Sequence, residues 1–261
     1  PLSIYDLCTA MGIEVRFVNI SMEGNYVPGK YPVFLISALR PAVRRTFTCA
    51  HELGHHVFGH GFSLDELIEN RLSKEKPPEE FLADCFASFL LMPALGIRKS
   101  FAQRKWKFSE VTAEQIYIVA SDFGVGYETL VTHLAVGLDL ITFAQYQALK
   151  KIKVPAIKNT FVGGIEIERR LIVVDRQSLA PVIECEVGDH ILVDNPVTAQ
   201  NDSLMELPTI SGKRFFKAAR KGVTTIKDST GAVFKQVRIM EHQFVGLNRY
   251  LYLEDSDEGD D

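Results

Sequence analysis

The stretch Thr48-Cys49-Ala50-His51-Glu52-Leu53-Gly54-His55-His56-Val57-Phe58-Gly59 contains an HExxH, and its reading decides how the rest of the chain is understood. On a helix, residues four apart differ by about 40° around the axis, so His51 and His55 stand one turn apart and both rings can reach one metal ion. Glu52 falls on the neighbouring stripe, placed to take a proton from a water beside that ion rather than to join its ligands. Thr48, Ala50, Leu53, Val57 and Phe58 give the helix an apolar stripe, and Gly59 with Gly61 marks its expected end. The segment therefore predicts the buried helix of a catalytic zinc site.

A catalytic zinc takes three protein ligands and keeps one position open, so a third ligand has to come from elsewhere. The best donor is the stretch 77–87, where Pro77 and Pro78 open a helix and Glu79 and Glu80 fill its first turn. Leu82, Cys85, Phe86, Phe89 and Leu90 recur at spacings of three and four, which predicts a second buried helix. Glu80 is expected to ligate, and Asp84, one turn later, to orient a ligand histidine through its second ring nitrogen. Ala83 and Ala87 are small enough to let the histidine helix come close. His60 is a rival ligand, but the HExxHxxGxxH pattern needs glycine at 58 and histidine at 61, where this chain has Phe58 and Gly61. His56 and His60 are therefore read as flanking residues. Two imidazoles and one carboxylate favour Zn2+, although Mn2+ or Fe2+ can occupy the same donors.

At these residues the chain resembles the ImmA/IrrE-type metallopeptidases. The resemblance lies in Arg44-Arg45-Thr46-Phe47-Thr48-Cys49-Ala50-His51-Glu52-Leu53-Gly54-His55, in Glu80-Phe81-Leu82-Ala83-Asp84-Cys85-Phe86-Ala87 and in Leu90-Leu91-Met92-Pro93, with a weaker match at Met11-Gly12-Ile13-Glu14-Val15. It covers about residues 1–145. The resemblance implies His51, His55 and Glu80 as metal ligands and Glu52 as general base; Asp84 stands where the family often has asparagine. It also implies a cytoplasmic zinc endopeptidase that cleaves a helix-turn-helix repressor or antitoxin and so releases stress, mobile-element or prophage genes. The alternative is a metal-bound module that binds and sequesters a repressor without cutting it.

Composition agrees with this picture. A chain of 261 residues with 46% hydrophobic content is long enough for two cores. Its net charge of −4 is set by the last eight residues, whose six acids predict a disordered tail over 254–261. No uninterrupted apolar run reaches the length of a membrane helix, and no signal peptide opens the chain, so a cytoplasmic protein without a membrane partner is expected. Cys8, Cys49, Cys85 and Cys185 show no paired spacing and read as reduced thiols.

An α+β organisation follows. A mainly helical metallopeptidase domain over 1–107 contains a helix near 3–11 and strands at 14–18 and 33–37. The latter leads to the metal helix, and an edge strand there is expected to receive substrate by strand addition. Tyr26, Tyr31, His56 and His60 are candidate oxyanion donors. Residues 108–147 form a helix-turn-helix-like extension, with Thr112 and Gln115 as a capping box and a tight turn at 123–127. Direct nucleic-acid binding is not expected, because residues 127–138 offer no lysine or arginine to phosphates. Residues 148–155 read as a linker to a mostly β domain over 156–253 serving sensing or partner recognition. Strands are predicted there at 161–167, 170–175, 190–194, 223–226, 233–239 and 244–253, with a hairpin turn at 228–231.

Two features of that domain invite function. The run 213–221 holds five cations and two aromatics and reads as a solvated basic face. Ser178-Leu179-Ala180-Pro181-Val182-Ile183, followed by Gly188-Asp189-His190-Ile191-Leu192-Val193-Asp194, is faintly similar to LexA-like self-cleaving peptidases. That similarity would make Ser178 a nucleophile with Lys213 or Lys217 as its base.

Overall fold

A computed structural model describes residues 3–60 and 77–253. The acidic tail and Gly61 lie outside the described residues. The fold is α+β, with the helices concentrated in the first half of the chain and most strands in the second.

Helix α1 (Ile4–Ala10) leads into β1 (Glu14–Val18), β2 (Gly24–Val27), β3 (Val33–Ser37) and the long α2 (Ala42–Phe58). Strand β3 pairs parallel with β1 and antiparallel with β2, so β3 is internal and β2 forms the edge. The sequence shows β2 only as a glycine-containing loop, because four residues with Gly24 and Asn25 among them carry no alternating pattern. Helix α2 ends where Gly59 turns left-handed at φ 67°, the conformation that favours glycine.

Helix α3 (Pro78–Leu91) starts at a proline, as expected, and crosses α2 closely. Ala83 and Ala87 are wholly buried, and a β-carbon added at Gly54 would come within 3.0 Å of the Ala83 Cα. The alanines and Gly54 set this approach, since any larger residue would push the helices apart. With α4 (Ala94–Gln103), α3 makes up the stretch Pro78–Gln103, which by length and composition alone could cross a membrane. No single apolar run in the sequence predicts it. Its α3 half buries Ala83, Ala87 and Leu91 inside the fold and presents Glu80 to α2.

Helices α5 (Ala113–Phe123) and α6 (Tyr127–Thr132), the latter prolonged by a π turn to Gly137, form the expected helical pair around Gly124. The Thr112 and Gln115 capping box is formed in both directions. The stretch read as a linker is helical instead: α7 (Phe143–Lys151) and α8 (Val154–Val162) occupy it, and α8 also takes the start of the strand expected at 161–167. Pro155 supplies the first turn of α8. Val154, Ile157 and Phe161 share one helical face, and Gly163 at φ 63° ends it.

Strands β4 (Leu171–Val174), β6 (His190–Val193), β8 (Leu204–Ile210) and β9 (Lys213–Ala218) make one sheet in the order β4-β6-β9-β8. Strands β5 (Val182–Glu186), β7 (Val197–Ala199), β10 (Gly222–Asp228) and β11 (Val233–Met240) make another, in the order β5-β11-β10-β7. The turn between β10 and β11 falls where Asp228 accepts the backbone N–H groups of Thr230 and Ala232. Of the strand expected over 244–253, only β12 (Gly246–Leu247) forms, followed by a short 3-10 turn. β12 pairs antiparallel with β1, so the end of the described chain completes the first sheet. Tyr117 of α5 donates to the Leu171 carbonyl at 2.7 Å, and the main apolar core runs from Ile4 to Leu251 through both halves.

Candidate metal centre

The crossing of α2 and α3 brings three ligand atoms together. His51 Nε2 and His55 Nε2 are 3.0 Å apart, and Glu80 lies 3.2 Å from the first and 3.1 Å from the second. Bonds of about 2.0–2.1 Å to a tetrahedral ion put neighbouring donors about 3.3 Å apart, so this triangle fits a zinc-sized cation without moving a helix. The donor chemistry also fits, with two neutral imidazole nitrogens and one carboxylate.

The outer nitrogens explain why the inner ones converge. Asp84 bonds His51 Nδ1 at 2.9 Å, the position expected from its place one turn after Glu80. His60 bonds His55 Nδ1 through its own Nδ1 at 3.0 Å. With each Nδ1 engaged, each Nε2 is turned toward the shared point. The flanking reading of His60 left this contact out. It arises because the left-handed Gly59 folds the chain back and the His60 N–H bonds the His55 carbonyl at 2.9 Å, a reversal signalled only by the glycine.

Glu52 lies beside the triad and is nearly buried. Its carboxylate accepts the backbone N–H of Tyr26 on β2. A β-carbon at Gly24 would meet Thr48 Cγ2 at 2.5 Å and Glu52 Oε1 at 3.0 Å, so glycine lets the edge strand lie directly on the metal helix. Burial pushes the Glu52 carboxyl up to about 7, against the opposing pull of His51 and His55. Hydrogen bonds from His51 and His55 hold Glu80 well below the usual carboxylate range. Burial works to lower His51, but its bonds to Asp84 and Glu80 and the nearby carboxylate charges outweigh this and raise it to about 9.

One consequence is measurable. A histidine must shed its proton before Nε2 can bind a cation, so below about pH 9 each ion bound at the triad displaces a proton from His51. Zinc affinity, measured by competition with a chelator, is expected to fall about tenfold per pH unit from pH 8.5 to 6.5. A flat profile would contradict the assignment of His51 as a ligand.

Tyr26 Oη and His56 Nδ1 bond each other at 2.9 Å, and Tyr31 is exposed. Ser178 donates its hydroxyl to Asp122 and accepts from Lys235 at 3.1 Å; Lys213 and Lys217 lie on β9, in the other sheet. Lys235 also donates to the carbonyls of Ser178 and Ala180. These three contacts engage Lys235 in holding the 178–180 loop, while burial lowers its pKa from the ordinary lysine value. Asp122 is further paired with Arg104 at 3.2 Å, which ties the loop to α4 and α5. In the basic run, Arg214 pairs with Glu206 and Arg220 with Asp202. All four cysteines are free, and Cys8 and Cys49 meet at 3.7 Å between α1 and α2.

Comparison with family models matches residues 8–134 to the M78 peptidase family, described as an IrrE N-terminal-like domain. Over that stretch the chain is similar to the M78 peptidases. The family gives it a metallopeptidase-type function, and the matched residues include both histidines, Glu52, Glu80 and Asp84. No curated protein matches the chain.

Proposed function

We propose that this protein is a zinc-dependent endopeptidase of the cytoplasm that cleaves a helix-turn-helix repressor or antitoxin. The reading is carried by the convergence of His51, His55 and Glu80 on one point, with Glu52 held just outside it beneath a sheet edge. When bound there, a zinc ion supplies Lewis acidity toward a peptide carbonyl and a water. Glu52 would take a proton from the attacking water and return it to the leaving amine; its buried carboxyl, raised to about 7, is suited to both transfers. The Tyr26 N–H fixes the carboxylate in place. Strand β2, at the sheet edge, offers main-chain groups to an extended peptide, so substrate can be held by backbone hydrogen bonds. Residues 156–253 serve sensing or partner recognition.

The test uses the repressor encoded beside this protein's gene. Incubation with purified protein is expected to give fragments that disappear when a chelator is added. A stable complex with no fragments would identify a non-cleaving binder and overturn the proposal.

A further inference from the structure

A cavity of about 600 Å³ lies away from the metal centre, at the other end of α2. Its wall is assembled from both halves of the fold: Leu39, Ala42 and Val43 at the start of α2, Tyr117 and Tyr127 from the helical pair, and Val154 with Leu171 from α8 and β4. Both tyrosine hydroxyls are bonded elsewhere, to the carbonyls of Leu171 and Leu149, so the rings offer carbon to the space. The volume is that of a metabolite-sized ligand, and the wall combines apolar surface with polar and charged side chains.

The polar groups determine the charge of the occupant. Arg40 pairs with Glu23 and Arg170 lies beside the buried Asp189, while Glu186 is neutralised by Arg45. Arg169 and Lys158 then stand against Glu168 alone, leaving one surplus positive charge. Lys158 is bound to the carbonyls of Ile167 and Arg169. Among the described residues the Arg169 guanidinium has no ion-pair partner, and its stem lies over Gly188, which lines a smaller neighbouring cavity that shares Arg169 and Glu168 with this one. The first turn of α2 adds to this, having neither a side-chain cap nor an acid for its N–H groups.

The geometry points to a binding site for a small organic monoanion, an aromatic or aliphatic body carrying one carboxylate or sulfonate, with Arg169 as the anion's partner. The site is separate from the metal centre and is independent of the peptidase reading. Its occupant touches the first turn of the metal helix and the start of β4 together, so binding favours the arrangement in which these two are joined.

The test is direct binding to the full chain of 8-anilinonaphthalene-1-sulfonate, an aromatic monoanion that fluoresces when taken from water. One saturable site is expected by calorimetry. Arg169→Gln should weaken it about tenfold, the usual loss for a charged hydrogen bond. Val154→Trp, which fills the cavity from a half-buried position, should abolish it. N-phenyl-1-naphthylamine, the same rings without the sulfonate, should bind about tenfold more weakly to the unaltered protein and equally to the Arg169→Gln variant. Unsaturable binding, no binding, or equal affinity in both variants overturns the proposal. Circular dichroism of each variant checks that the fold is intact.

Discussion

Glu52→Gln is expected to lower the rate of peptide cleavage by roughly 10²–10⁴-fold, the range supplied by a positioned general base, while zinc content stays near one ion per chain. The substitution isolates the proton transfer. Glutamine has the shape of glutamate, so it fits beneath Gly24 and can still accept the Tyr26 N–H, but its amide cannot take a proton at neutral pH. The three ligand atoms come from other residues, so metal content should be untouched. His55→Ala provides the contrast: it removes a ligand atom and frees His60, so both metal and activity should be lost. Measuring cleavage and metal content on the same preparations separates the two roles. Undiminished cleavage by Glu52→Gln would remove this residue from the chemistry.

These roles differ in how far the sequence alone reveals them, and the difference is physical. His51, His55, Glu80 and Asp84 are legible because each pair sits four residues apart on one helix, where local geometry fixes the relation. Only the meeting of the two helices is non-local, and Gly54, Ala83 and Ala87 signal it by their size. The contact of His60 depends on a reversal at one glycine, so its spacing from His55 follows no helical rule. Strand β2 is set by pairing with β3 and by support from α2, not by its own four residues. Strand β8 was equally hidden, because Pro208 interrupts it and its register shifts between Leu207 and Ile210. Lysines and a proline made 148–155 look like a linker, yet the same proline begins α8. Position within the element, more than residue type, decides what a proline means.

The metal helix also depends on an interaction that no local pattern discloses. Arg45 lies on α2 about 9 Å before His51 along the axis, and its side chain is wholly buried. Glu186, at the end of β5, pairs with it, and Phe17 lies 5.5 Å from the guanidinium. Among the described residues the Nε and Nη1 groups of Arg45 have no hydrogen-bond partner, so this one carboxylate carries nearly all the compensation for a desolvated charge. Glu186→Leu is therefore expected to cost about 3–5 kcal/mol of stability, because arginine cannot relieve its burial by losing a proton. Arg45→Met should cost less, since the Glu186 left behind keeps His242 at 3.4 Å. Combining the two substitutions should restore most of the stability, as apolar replacements of a buried pair commonly do. Urea unfolding of the four proteins at pH 7 measures all of this. If Glu186→Leu unfolds within about 1 kcal/mol of the parent, the pair does not hold the metal helix to the β region, and the shared core must do so unaided.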